Sequence, residues 1–106
     1  MTAYAVAHMR HVTSGPWMVE YLERIDATLA PFGGRFIVHG GEVEVVENDW
    51  PGHVIVIEFP DRQHVQDWYR SPAYQEILAL RIDNSESDVI FVDGVEHPHK
   101  ATDVLA

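Results

Sequence analysis

Glu58 interrupts the apolar stretch "HVIVIEF" and is the residue best placed for acid–base chemistry. A carboxylate among apolar side chains has a raised pKa and can act as a general base. Its strand parity is that of Val54 and Val56, opposite to Ile55, Ile57 and Phe59. If the bulkier set faces the helices, Glu58 points to the other face of the sheet. The plainer alternatives are an ion pair with Arg35 or Arg81, or a place at the strand end in water. His39 and His8 are the histidines that could reach it, and a His–Glu pair would make a proton-transfer unit. A strand histidine also serves as a simple structural donor. Glu58 and His39 are therefore the catalytic candidates. Arg35, which could hold an anionic group, His8, Trp68 and Tyr74 are the candidates for a ligand pocket.

The last two belong to "DRQHVQDWYRSPAYQEI", residues 61–77, which looks dense with chemistry. Trp68, Tyr69 and Tyr74 share helical spacing with Val65 and Ile77, the pattern of a core stripe. The competing reading puts Trp68 and Tyr74 on the wall of a pocket between helix and sheet. Other chemistries find less support. The seven histidines lack ligand spacing: His8 and His11 lie in or just after a strand, His97 and His99 in the tail, and no H-E-x-x-H occurs. No metal and no cofactor are expected. With no cysteine, thiolate nucleophiles, disulfides and sulfur-ligated metals are excluded. Neither a glycine-rich phosphate loop nor a nucleophile elbow is present.

The elements that must position these residues are legible. "AYAVAHMR" is a strand. Ser14 or Gly15 caps a helix with Pro16 in its first turn, and Met18, Leu22, Ile25 and Leu29 form its apolar face beside Tyr21. Pro31 and Gly33-Gly34 end it. "RFIVHGG" is a second strand that "EVEVVE" continues after a bend at the paired glycines. "HVIVIEF" is the third. Asp61 caps the next helix, which stops at Ser71-Pro72, where a fresh helix starts and buries Tyr74, Ile77, Leu78 and Ile82. "DNSES" is a loop and "DVIFVDG" the fourth strand. The order βαββαβ predicts an α+β, ferredoxin-like antiparallel sheet with its helices on one face. Residues 1–95 form this single domain and 96–106 a C-terminal tail.

The chain has 106 residues and a net charge of −10, from 17 acidic residues against 7 basic. Such a surface repels phosphate backbones and anionic lipid, so neither nucleic acid nor membrane is expected as a partner. The longest unbroken apolar run, "AYAVA", is far short of a membrane span, and no basic leader precedes it. A cytoplasmic location is the default expectation. A sheet covered on one side should alternate, yet "VIVI" and "VIFV" are apolar at both parities. The second face is therefore expected to be buried as well. Its simplest cover is a second copy of the same sheet, a homodimer; the rival is a different partner on an apolar face.

In order, "GGR", "VIEFP" and "WYRSPAYQ", within "FGGRFIVHGGEVEVVENDWPG" and "HVIVIEFPDRQHVQDWYRSPAYQEI", resemble domain-of-unknown-function family 1330 of the dimeric α+β barrel superfamily. The resemblance covers roughly residues 3–94 and departs at Ser14-Gly15-Pro16-Trp17, where relatives commonly have Asp-Pro and then a tyrosine. It implies two ferredoxin-like sheets facing each other to form a barrel between subunits. The family supplies no catalytic residues. More distant superfamily members include cofactor-independent monooxygenases, isomerases and haem-using enzymes, an analogy of fold alone. Two functions stay open: a cofactor-independent enzyme, isomerase-like or monooxygenase-like, acting on a small organic substrate, and a non-catalytic homodimer that binds a metabolite or serves as an accessory subunit.

Overall fold

The computed structural model describes residues 1–105. Four strands, β1 (Ala3–Val12), β2 (Arg35–Val38), β3 (His53–Phe59) and β4 (Ser85–Asp93), form one sheet in the order β2-β3-β1-β4. Every neighbouring pair is antiparallel. The connecting helices are α1 (Pro16–Leu29), α2 (Arg62–Arg70) and α3 (Pro72–Ile82). This is the expected ferredoxin-like order, with the second helical segment in two pieces.

Local chemistry sets the boundaries. Gly15 is the N-cap of α1 and Pro16 its first residue, with no side-chain cap. After a single 3-10 turn at Ala30–Phe32, Gly33 takes a left-handed conformation (φ 69°) and turns the chain toward β2. The Asp61 carboxylate accepts from the His64 backbone N–H at 2.8 Å and caps α2. Ser71 serves two helices: its hydroxyl donates to the Trp68 carbonyl at 2.6 Å and accepts from the Tyr74 N–H at 3.3 Å. Pro72 then occupies the first position of α3, where no N–H partner is needed. At Gly52 (φ 82°) the chain runs so close to β1 that a Cβ would collide with the Met9 carbonyl.

Alternation along the strands divides the sheet into two faces. Ala3, Ala5, Met9, Ile57 and Phe59 are buried against the helices, where Ile25, Leu29, Val65, Trp68, Tyr74 and Ile77 meet them. The other face holds Tyr4, Val6 and His8 on β1 and Val54, Val56 and Glu58 on β3, all part-buried at most. Ile90 and Val92 on β4 are 57% and 41% exposed in the single chain. The sequence expectation of an apolar second face holds, and within one chain that face is open.

Four local expectations need correction. "EVEVVE" does not continue β2: residues 42–47 form neither strand nor helix, because the alternating pattern finds no strand beside it within the chain. Ser85 to Ser87 belong to β4 rather than to a loop, since β1 extends far enough to pair with them. At the C-terminal end of α3 the buried residue is Arg81, whereas Ile82 is 53% exposed. Tyr74, Ile77 and Arg81 stand at i, i+3 and i+7 and so share one face. Leu22, placed on the buried face of α1, is 43% exposed, because burial on that helix is confined to its C-terminal half, at Ile25, Thr28 and Leu29.

Candidate functional site

On the helix side of β1 the residues are Ala3, Ala5, Ala7 and Met9. Short side chains at the centre of a sheet leave space that their bulkier neighbours cannot fill. Above Ala5 and Ala7 lies a cavity of about 60 Å³. Its floor is completed by Ile55 and Ile57 from β3 and Val89 from β4. Tyr21, Trp68, Tyr74 and Arg81 project into it from the three helices. Its mouth adjoins a larger cleft of about 320 Å³ under the first turns of α1, lined by Trp17, Met18, Val12 and His53. Met9, Tyr21, Leu22, His39 and Ile55 line both spaces.

The walls are apolar apart from a few groups. The Trp68 indole N–H donates to Thr28 Oγ1 at 3.0 Å, and that hydroxyl donates to the Ile25 carbonyl at 2.6 Å. This pins the indole, whose ring packs against Tyr74 at 4.2 Å between centroids. The Tyr21 and Tyr74 hydroxyls are 2.8 Å apart. Burial first, and then the neighbouring Tyr74, push the Tyr21 phenol far above its ordinary pKa, with Arg81 opposing. Tyr21 is thus a neutral hydrogen-bonding group at any working pH. Arg81 is 8% exposed and donates from Nη1 to Ser87 Oγ at 2.8 Å. Burial acts to lower its pKa, but the Tyr74 and Tyr21 oxygens beside it outweigh that and raise it. The guanidinium stays charged.

His39 reaches this space through a single extra residue. Arg35 pairs with Glu58 and Phe36 with Ile57, but Val38, not Ile37, pairs with Val56. The bulge at Ile37 inverts the parity of the residues after it, so His39 falls on the helix side with Phe36. Its ring stacks on Phe36 at 4.3 Å and 19°. Without the bulge His39 would share the open face with Arg35 and Glu58.

The proposed Glu58–His39 unit is therefore corrected: the two lie on opposite faces of the sheet. Glu58 is held by Arg35, directly opposite in register, with Oε1 2.7 Å from Nη2 and 2.9 Å from Nε. Arg81 sits on the helix side and does not meet it. His8 does share the open face with Glu58, but Tyr4 is the β1 residue paired with Glu58 and His8 pairs with Val54, four residues along. About 13 Å of strand separates them. His8 instead bonds the Pro51 carbonyl at 2.7 Å and stacks on Trp50 at 3.9 Å, clamping the loop before β3 to the sheet. Of the six candidate residues, the structure brings His39, Trp68 and Tyr74 together on the helix side and pairs Arg35 with Glu58 on the open face. Sequence reasoning missed Tyr21 and Arg81 as cavity residues, although the i, i+7 spacing of Tyr74 and Arg81 was a signal for the second. Among the described residues, no group of three or more His, Asp or Glu side chains is gathered closely enough to hold a metal ion. Among the same residues no helix is long and apolar enough to cross a membrane.

Solved structures share this fold. A protein of unknown function from Rhodopseudomonas palustris, RPA0582, superposes with a TM-score of 0.67 at 15% identity, over 90% of this chain and 83% of that one. SnoaB, a cofactor-independent oxygenase from Streptomyces nogalater, gives 0.62 at 13% identity, over 92% and 98%. A dimeric ferredoxin-like protein of unknown function from Jannaschia sp. CCS1 gives 0.64 at 9% identity, over 89% and 100%. At such identities the likeness is one of fold. Among curated proteins none matches the sequence significantly. The family described as Domain of unknown function (DUF1330) matches residues 2–95, nearly the whole domain, and this chain belongs to that family.

Proposed function

We propose that this chain is a homodimer that binds a compact organic molecule between sheet and helices and acts on it, without a cofactor, by proton transfer. The observation that carries the reading is the position of His39, where the inner cavity and the outer cleft meet. Imidazole is the side chain suited to taking up a proton near neutral pH. A C–H proton α to a carbonyl passes to the His39 ring and leaves an enolate; where a C=C bond is conjugated with that enolate, return of the proton to the γ carbon moves the double bond and completes an isomerisation. The same enolate could instead meet dioxygen, which is the class of chemistry that SnoaB's description names. Two further features support the reading. The outer cleft lies at the lower edge of the size of ordinary ligand pockets, about 300 Å³. The open apolar face fits a second sheet, and a fold neighbour is described as dimeric. Solvent deuterium incorporation into an enolisable aryl ketone such as acetophenone, followed by NMR, tests it. Incorporation above the buffer rate with wild type, lost in His39→Gln, is expected; equal incorporation by both proteins rejects His39 as the base.

One observation favours a non-catalytic reading. Glu58, the carboxylate best suited by sequence to act as a base, is tied to Arg35. Tight binding of a small molecule in the cavity, with no exchange by the wild type, would select that alternative.

A further inference from the structure

The geometry points to Arg81 as an anion-binding residue: the ligand of the helix–sheet cavity carries a carboxylate at its inner end and an apolar body in the outer cleft. This rests on the reading that the cavity is the binding site, and it names the class of molecule. Arg10, Arg24, Arg35 and Arg62 each meet a carboxylate at the surface. Arg81 is the buried arginine, and among the described residues no carboxylate lies within ion-pair distance of it. Glu86 and Asp88, the acidic side chains of β4 closest in sequence to its partner Ser87, are engaged by Arg10. A buried charge without a counter-charge is costly, so proteins pair such groups or neutralise them. Here the neighbours are three hydroxyls, those of Tyr21, Tyr74 and Ser87.

The arrangement matches a carboxylate better than a phosphate. A planar guanidinium presents parallel N–H donors that fit two carboxylate oxygens. The two phenols share one proton in the hydrogen bond between them, which leaves the second phenolic proton to donate to an oxygen anion. No lysine lines the cavity to balance a doubly charged group. An inner space of about 60 Å³ accepts a small terminal group, not a whole ligand. The body must extend past Met9, Leu22 and His39 into the apolar cleft. That places the middle of the molecule against His39.

Phenylacetate and its neutral isostere phenylacetamide, titrated by calorimetry at pH 7, test the inference. Wild type is expected to prefer phenylacetate by about tenfold or more, as one desolvated charge-assisted pair would give. Arg81→Met should bind both probes with similar, weak affinity while keeping its far-ultraviolet dichroism. Ala7→Phe, which fills the cavity floor, should abolish both. The wild-type comparison stands even if Arg81→Met fails to fold. Equal affinity of the two probes for wild type, with both blocked by Ala7→Phe, would overturn the carboxylate assignment and leave the cavity as the site. Binding unaffected by Ala7→Phe, or no binding of either probe, would overturn the cavity reading and the carboxylate with it.

Discussion

Val56→Asp should split the proposed dimer without unfolding the protomer. Val56 lies at the middle of the open face, between Val6 on β1 and Val38 on β2. Its side chain points away from the helices, so the core of Ile57, Phe59, Trp68 and Tyr74 is untouched by the change. Burying a valine is worth about 1.5 kcal/mol or more, so losing one per protomer removes about 3 kcal/mol from a symmetric interface. Leaving a carboxylate buried and unpaired adds several kcal/mol per copy. The sum is at least about 6 kcal/mol, or more than four powers of ten in Kd. A dimer stable at nanomolar concentration would then be monomeric at micromolar concentration. The control is Glu23→Lys, on the exposed side of α1, which should leave assembly unchanged. Light scattering after size-exclusion chromatography reads the mass, and far-ultraviolet dichroism reads the fold. A Val56→Asp protein that remains dimeric would refute sheet-to-sheet association, as would a well-folded wild-type monomer at micromolar concentration.

Three other outcomes are expected. Glu58→Gln, which breaks the exposed pair with Arg35, should lower stability by no more than about 1 kcal/mol and leave probe binding in the cavity unchanged; a large loss of binding would return Glu58 to the site. Hydrogen bonds from the His64 side chain, then from its backbone N–H, hold the Asp61 carboxyl below its usual pKa, so its contribution to stability is present above the unfolded carboxylate value and fades as pH falls through the depressed folded value. Asp61→Asn should accordingly lower the melting temperature at neutral pH and converge with wild type in strong acid; a difference that grew on acidification would show the sign to be wrong. Treatment with EDTA should leave the melting temperature of the protein unchanged, and a drop of several degrees restored by zinc would reveal a metal site that neither the sequence nor the described residues show.

A structural feature is legible in the sequence to the degree that its signal is local. Ser71-Pro72 announces the junction of α2 and α3 because both residues act on their own backbone. "VIVI" reveals two apolar faces because parity alternates strictly along a regular strand, and the same counting places Glu58 on the open face. The site depends on features that are not local. The bulge at Ile37 moves His39 to the helix side, and nothing in "RFIVH" marks it, since the glycines that suggested a break come after it. The cavity exists because Ala5 and Ala7 lie beneath Tyr21 and Tyr74, residues distant in sequence. Arg81 illustrates the opposite failure: the helical spacing was there to be counted, but a charged residue on an apolar face invites a shift to its neighbour Ile82. "EVEVVE" shows the limit of alternation, which describes a strand's faces but cannot supply the strand it pairs with.

The central claim is that ligand binds between the helices and the sheet, above Ala5 and Ala7. A crystal structure of the protein soaked with phenylacetate tests it most directly. The account predicts density enclosed by Ala7, Trp68 and Tyr74, with the carboxylate against Arg81 and the ring beside His39. Density lodged instead on the open face of the sheet, near Val56 and Glu58, would contradict it.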